Sequence, residues 1–511
     1  MKKLLGKILN RKVITMLVIA IQMAWGVGLV YSTALIFPVL NTFFYAIGLC
    51  VVIYIINRES NPAYKIAWIV PITVFPLFGV LIYLLYANKR PSRYLRKRFE
   101  KTEELVTENL KQEQGVLDSM PSRDSTRARY LSDMGYPVCG STEARYFASG
   151  EEMFPYILAE LEKAEHFIFL EYFIIEEGEV WNSMLEILAR KAAAGVDVRV
   201  IYDDMGCVGK LPTGYNFKLE SMGIKCTAFN PFVPFISVVM NNRDHRKILV
   251  VDGHTSFTGG INLADEYMNI KSPFGYWKDT AVMLHGKATW NLTYMFLQMW
   301  DVLRGTKEDF DIYRPERYHP ERYHVESFTG KGFVQPFSDN PLDDEAISQN
   351  VYVDIISQAE KYVYICTPYL VPDDEMKNAL IRAAKRGVDV RLITPGIPDK
   401  KMIYRLTRSY YPTLLEAGVK IYEYTPGFVH AKSIVCDDRI TVVGTINMDF
   451  RSLYLHFECG VLMTGTGIAH TVRDDNLAMM EKCRAVQKGF PKRTLVGRII
   501  DSILRTFAPM V

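Results

Sequence analysis

Two short stretches of the 511-residue chain set a histidine and a lysine two positions apart at the mouth of an apolar run. They are His245 and Lys247 in HRKILVVDG (245–253), and His430 and Lys432 in HAKSIVCDD (430–438). Residues two apart in a strand project from one face, so each pair points the same way. A lysine ammonium attracts phosphate oxygens. An imidazole attacks phosphorus when neutral and protonates a leaving alkoxide when charged. Downstream of each pair lies a small-residue segment, GGIN (259–262) or GTIN (444–447). There the small side chains of Gly260 and Thr445 let backbone N–H groups approach an anion, and the Asn262 and Asn447 amides add donors. Together these groups describe a phosphate receptor with two acid–base residues. The chemistry that fits is phosphodiester cleavage through a phosphohistidine, with no metal and no cofactor.

Other polar residues sort less sharply. Asp252 and Asp437 close the apolar runs in turn dipeptides, where a structural part fits them as well as a chemical one. A reacting histidine needs a group that fixes its tautomer. Asp279 in WKDTAVML and Glu458 in HFECGVLM stand at matching places for that task. His166, His254, His285, His319, His324, His456 and His470 match nothing paired and read as ordinary.

The elements that must position these residues occur twice. Beyond each lysine the chain is apolar, turns at Asp252-Gly253 or Asp437-Asp438, and continues into a second β-rich run, which predicts a hairpin with histidine and lysine near its open end. Upstream, LEKAEHFIFLEYFII (161–175) and ISQAEKYVYICTPYLV (356–371) each lead through an amphipathic helix to the pentapeptide GVDVR, at 195–199 and 387–391. Helices alternating with buried strands predict βαβ units around a mainly parallel, covered sheet. His245 to His430 and Asn262 to Asn447 keep the same spacing of 185 residues. The repeat is therefore a duplicated domain, and one histidine–lysine pair per copy suggests one site shared at the interface between copies.

From Val13 to Ile56 the chain carries no Asp, Glu, Lys or Arg, and a second such stretch runs from Ile66 to Ala87. At about 20 apolar residues per pass, these hold three membrane passes, with Pro38 and Asn41 breaking the first stretch. Basic clusters at Lys2–Lys12 and within NKRPSRYLRKR (88–98) both ask for the inside, which three passes cannot satisfy. Either one segment is re-entrant or interfacial, or one cluster is overruled; the bulk is expected to face the cytoplasm. Eight scattered cysteines give no disulfide or zinc pattern, and a net charge of +3 with no basic-aromatic tract argues against a nucleic-acid partner. The expected division is a membrane region at 1–95, a linker helix at 96–135, and two domains at 136–325 and 326–511.

HxKxxxxD followed by GGxN or GTxN, present twice, resembles the phospholipase D superfamily. The apolar N-terminus, YFIIEEG, YDDMGC, NNRDHRKILVVDG, GGINLADEY, YWKDT, TPYLVPDDE, GFVHAKSIVCDD and GTINMDFRS make the chain similar to the bacterial cardiolipin synthases within it. The resemblance implies two tandem phospholipase D-like α-β-α domains behind transmembrane helices, in the cell membrane as a multi-pass protein. It implies phosphatidyl transfer between two phosphatidylglycerol molecules, giving cardiolipin and glycerol, with anionic membrane lipids as partners. It makes His245, Lys247, Asp252, His430, Lys432 and Asp437 the active-site set and Asn262 and Asn447 phosphate ligands, with His245 as nucleophile and His430 as acid. The residues themselves leave those two roles open. A membrane hydrolase, or a transferase using a serine or ethanolamine acceptor, is the alternative. The second copy departs from the pattern only in having Asp438 where the first has Gly253.

Overall fold

The computed structural model describes residues 38–86, 95–102, 110–231, 242–318, 330–343, 345–490 and 493–510, with Ala24 and Gly28. The expected first membrane pass and most of the basic clusters lie outside these residues.

The first copy contributes β1 (Thr142–Phe147), β2 (Phe167–Tyr172), β3 (Asp197–Asp203), β4 (Lys225–Phe229), β5 (Lys247–Val251), β6 (Thr255–Gly259), β7 (Tyr276–Lys278) and β8 (Ala281–Gly286). The second contributes β9 (Phe333–Asp339), β10 (Tyr362–Cys366), β11 (Asp389–Pro395), β12 (Lys420–Tyr424), β13 (Gly427–Val429), β14 (Ser433–Cys436), β15 (Ile440–Gly444), β16 (Glu458–Thr464) and β17 (Cys483–Ala485). One sheet has the order β1-β8-β6-β5-β2-β3-β4. The other has β9-β16-β15-β14-β10-β11-β12, extended by β17. The duplication read from the spacing is therefore a duplication of topology.

The sheets are mixed, which corrects the expectation of mainly parallel ones. β2-β3-β4 and β10-β11-β12 pair in parallel, as their βαβ crossovers require. The hairpins β5–β6 and β14–β15 and the strands beyond them pair antiparallel. The βαβ pattern covered only half of each sheet.

Helix α4 (Gly150–Lys163) and α5 (Glu179–Ala193) cover one face of the first sheet, and α7 (Ile347–Gln358), α8 (Asp374–Lys385) and α9 (Lys401–Glu416) cover one face of the second. Their other faces meet around α6 (Thr289–Arg304) and α11 (Ile468–Glu481). Side chains from both sheets join these helices in one core: Phe169, Val250 and Leu284 from the first, Tyr364, Val435 and Val461 from the second. α6 is buried almost all round, which explains its apolar sequence TWNLTYMFLQMW. A core held in common fixes the two copies against each other, which a site built from both requires.

The N-terminal helices differ from the expected passes. Among the described residues no helix is long and apolar enough to cross a membrane. The stretch 66–87 is divided into α2 (Pro62–Val74) and α3 (Pro76–Tyr86), because Pro76 cannot continue the ladder that ends at Phe75. At 1.5 Å per residue they span about 20 and 16 Å, well short of a hydrocarbon core of about 30 Å. They fold back closely: a Cβ on Gly79 would lie 2.5 Å from the Ile72 Cα. With α1 (Pro38–Asn57) they form a small bundle whose outer face exposes Phe43, Leu49, Ile53, Tyr54, Ile66, Val74 and Leu84. The inner end docks on the second copy. Tyr64 packs edge-on against Phe450 and Tyr454 of α10 (Phe450–Tyr454), and Asn61 Nδ2 donates to Asp373 Oδ2 and Tyr454 Oη at 2.8 Å each. α10 directly follows the GTIN segment.

Candidate active site

Parallel ladders between the copies decide which residues meet. β7 runs parallel to β13 with Lys278 opposite Val429, and the His430 amide donates to the Lys278 carbonyl at 2.7 Å. Across the site Asp244 bridges in parallel to Phe457, and the His245 amide donates to the Phe457 carbonyl at 2.9 Å. One residue further along each ladder stands a histidine beside a carboxylate. His430 Nδ1 lies 2.7 Å from Asp279 Oδ2, and His245 Nδ1 lies 2.9 Å from both Glu458 oxygens. The carboxylates are thus exchanged: each histidine is held by the copy to which it does not belong. With Nδ1–H directed at a carboxylate, Nε2 is left as the reactive nitrogen of both rings.

The His245 segment is held rigidly. The Asp203 carboxylate accepts from the Asp244 and Gly206 amides at 3.1 and 2.9 Å, and Arg246 bridges Asp244 and Glu171. Both imidazoles are only 7% exposed. Burial first, then the cations of Lys247 and Lys432, holds His245 well below the ordinary imidazole range. Burial and Lys432 push His430 down to about 4 against the opposing pull of Asp279. Burial alone would raise Asp279, but His430 and Lys432 hold it below the ordinary aspartate value.

The lysines lie where their strands predict. Lys247 Nζ donates to the His245 carbonyl at 2.5 Å. Lys432 Nζ donates to the His430 carbonyl and lies 2.9 Å from His430 Nδ1, a cation that disfavours a second ring proton. Burial lowers Lys247 to about 8 and Lys432 to about 7. Two desolvated ammonium groups beside two imidazoles held neutral are an arrangement suited to an anion.

Four of the expected residues take other parts. The Gly260 and Thr445 amides, expected to reach an anion, are spent on the carbonyls of Thr280 and Cys459 at 2.9 Å each. The two residues instead seat the carboxylates. A Cβ on Gly260 would fall 2.0 Å from Asp279 Oδ1, and the Thr445 hydroxyl donates to Glu458 Oε2. Asp252 and Asp437 sit at the closed ends of their hairpins, away from the histidines. At φ of 48° and 53°, they cap the strand entries opposite. Asp252 accepts from the amides of Glu165, His166 and Phe167 at 2.8 Å each. Asp437 accepts from Glu360, Lys361 and Tyr362 at 2.8 to 2.9 Å. Asp438 and Gly253 share positive φ, so the departure from the repeat is conformationally neutral.

Asn262 Oδ1 accepts from the Ile174 amide at 3.0 Å and its Nδ2 donates to Tyr267 Oη at 2.7 Å, leaving one N–H of the amide. Asn447 Nδ2 lies 3.1 Å from Ser452 Oγ, while Oδ1 has no hydrogen-bond partner among the described residues. A half-turn of that amide lets the serine hydroxyl donate to Oδ1 and turns the NH2 group to the unfilled side.

Rings that the sequence reading passed over line the site. Phe173 lies 5.0 Å from the His245 ring, and Tyr267 and Trp277 lie 5.4 and 5.5 Å from the His430 ring. His456, read as ordinary, is corrected to a site residue: its ring is 5.8 Å from His245, and its Nδ1 is 3.7 Å from Glu458 Oε1. Trp277 and His456 each stand two residues before an orienting carboxylate, a signal visible once the repeats are aligned on those carboxylates. Ligand atoms of His245, His456 and Glu458 lie within 4.8 Å of one another. The set does not suit a divalent cation, because Glu458 already accepts from His245 and Thr445 and the nearby lysines repel a second positive centre.

Comparison with known proteins agrees with this geometry. The family profile described as "Cardiolipin synthase, PLD-like domain" matches residues 157–300 and 352–479, and "Phospholipase_D-nuclease N-terminal" matches residues 43–86. A cardiolipin synthase from Geobacillus sp. strain WCH70 is 35% identical over 90% of this chain and 91% of its own length. One from Geobacillus kaustophilus is 36% identical over 91% and 92%. An uncharacterized protein from Streptococcus mutans is 43% identical over 90% of this chain and 99% of its own. Among solved structures, the phosphatidylserine synthase of Haemophilus influenzae matches in fold with a TM-score of 0.56 at 15% identity, over 76% of this chain and 98% of its own. Duplicated topology, paired histidine–lysine strands and whole-length similarity converge: the chain belongs to the cardiolipin synthase family, phosphatidyltransferases built on the phospholipase D fold.

Proposed function

We propose that this enzyme joins two phosphatidylglycerol molecules at one site shared by its two halves, releasing glycerol. The observation that carries the reading is the exchanged pairing of His245 with Glu458 and of His430 with Asp279. It supports a reading in which two Nε2 atoms of like tautomer face one phosphate together with Lys247 and Lys432, since His430 and both lysines act electrostatically on His245. The phosphate of the first lipid lies between the lysines, with the remaining N–H of Asn262 and the turned amide of Asn447 as donors. Its negative charge offsets the field that keeps His430 neutral, so that ring takes up a proton as the substrate binds.

In the first step His245 Nε2 attacks phosphorus, the bond from phosphorus to the glycerol headgroup oxygen breaks, and His430 protonates that oxygen. His245 is assigned the attack because the first-copy histidine is the one the family resemblance makes the nucleophile; burial and the lysines hold it in the neutral form that attack requires, and Glu458 stabilises the charged ring of the phosphatidyl-histidine. In the second step the terminal hydroxyl of another phosphatidylglycerol attacks phosphorus, His430 removes its proton, and the P–N bond breaks to give cardiolipin.

Transfer outruns hydrolysis where an alcohol, not water, holds attack geometry. Phe173, Tyr267 and Trp277 restrict water around the rings. The exposed apolar face of α1–α3 supports a position embedded in the cell membrane, with the α10 side of the site close to lipid headgroups. The test is purified enzyme with phosphatidylglycerol as its sole lipid. Cardiolipin and glycerol in equal amounts are expected; phosphatidic acid as the main product would replace this reading with hydrolysis.

A further inference from the structure

The last helix, α12 (Leu495–Thr506), is mounted the wrong way round for a soluble protein. An ordinary surface helix buries its apolar stripe and shows its charges to water. Here the docked side is narrow and is held by Asp501, with Leu504 packed beside it on the core of the second copy. Asp501 accepts from Arg405 Nε of α9 at 2.7 Å and from Arg493 Nε at 2.8 Å, and Arg405 also donates to the Gly497 carbonyl at 3.1 Å. The apolar face points outward: Leu495 is 66% exposed, Val496 64%, Ile499 52% and Ile503 53%. The only acidic side chain of the helix is consumed by its two arginines, so the formal charges left exposed on it, Arg498 and Arg505, are both positive. The helix touches α2, and the turn after it, Ala508–Met510, packs against both α2 and α10. The helix therefore lies beside the N-terminal bundle, and both expose apolar side chains.

We infer that α12 is a second membrane anchor, lying in the plane of an anionic bilayer with its isoleucines among the acyl chains and Arg498 and Arg505 at headgroup phosphates. The inference rests on the reading that α1–α3 are lipid-embedded. A helix of this composition, apolar on one side and basic at its flanks, is the form that interfacial anchors take. Its consequence is orientation. A bundle alone leaves the catalytic body free to swivel, whereas a second contact from the C-terminus holds the α10 side of the site against the lipid surface.

The test uses the full chain reconstituted in phosphatidylglycerol-containing vesicles. An environment-sensitive label is placed at Ile503→Cys, at Leu84→Cys on α3 and at the exposed polar control Lys385→Cys, each in a Cys50→Ser background. Quenching of the label at 503 by nitroxide-bearing acyl chains, with protection from aqueous iodide, is expected. Iodide quenching at 503 equal to that at 385 would overturn the anchor. So would protection from both quenchers, because that marks a second copy as the cover. If the label at 84 meets the acyl-chain quencher and that at 503 does not, the α12 inference alone fails. If the label at 84 does not meet it, the membrane reading itself fails. A chain carrying Ile499→Asp and Ile503→Asp should lose about tenfold or more of its transfer rate on vesicles, since two exposed isoleucines that would enter the acyl chains are replaced by charges. The same chain should keep its rate on detergent-dispersed substrate. Equal loss in both would show damage to the fold and count against the anchor.

Discussion

At the scale of single residues, the site is governed by burial of like charges. Lys432 and Lys247 are lowered to about 7 and about 8 from an ordinary 10.5, with desolvation as the first cause. A lowered lysine keeps its charge below its folded value and loses it as pH rises through that value, so the attraction for phosphate is complete only well below pH 7 and is lost as pH rises through about 7 and about 8. The expected outcome is an alkaline limb in kcat/KM with an apparent pKa in that window, while kcat at saturating lipid falls later, because bound phosphate restores the charge. A limb near 10 would show that the lysines are not desolvated. His456 was illegible at this scale: it matches no second histidine, only Trp277 at the equivalent place. Gly260 and Thr445 were legible as special positions but not in their task, since what they seat becomes visible only when Asp279 and Glu458 are in place.

At the scale of elements, local pattern was a good guide where the contacts are local. Each hairpin followed from a histidine–lysine pair, an apolar run and a turn dipeptide, all within ten residues. The turn aspartates divide cleanly by experiment. Asp437→Ala removes the acceptor of three backbone N–H groups and leaves alanine at φ 53°, which should cost ~2–4 kcal/mol of stability. The folded fraction should retain kcat within about threefold of the parent, a rough allowance for an indirect effect. Thermal unfolding alongside a product assay checks this, and a loss of kcat without a loss of stability would return Asp437 to the reacting groups. Counting apolar residues misled over 66–87, because Pro71 and Pro76 shape those residues into a tight pair of short helices. The βαβ pattern misled over the sheets for a related reason: the hairpin strands are as apolar as parallel ones, being buried on both faces.

At the scale of the whole molecule, the duplication is the mechanism's scaffold. The spacing of 185 residues announced two copies and one shared site, but not that the carboxylates would cross over. That exchange depends on two short parallel ladders between chain segments about 150 and 213 residues apart, which no local signal encodes. It has a thermodynamic consequence. In double-mutant cycles on thermal stability, His245 with Glu458 and His430 with Asp279 should each show a coupling of ~1–3 kcal/mol, as residues in direct contact do. The pair His245 with Asp279, within one copy, should show less. A larger coupling within the copy than across copies would contradict the exchanged arrangement.

The most direct measurement is to stop the reaction halfway. Enzyme carrying His430→Asn, mixed with phosphatidylglycerol labelled in its acyl chains and quenched under alkaline conditions that preserve phosphohistidine, should release its glycerol slowly and carry one phosphatidyl group on the Nε2 of His245. Mass spectrometry of the peptide spanning 242–251 would locate it. An adduct that instead forms on His430 in the His245→Asn enzyme, or no adduct in either, would contradict the account.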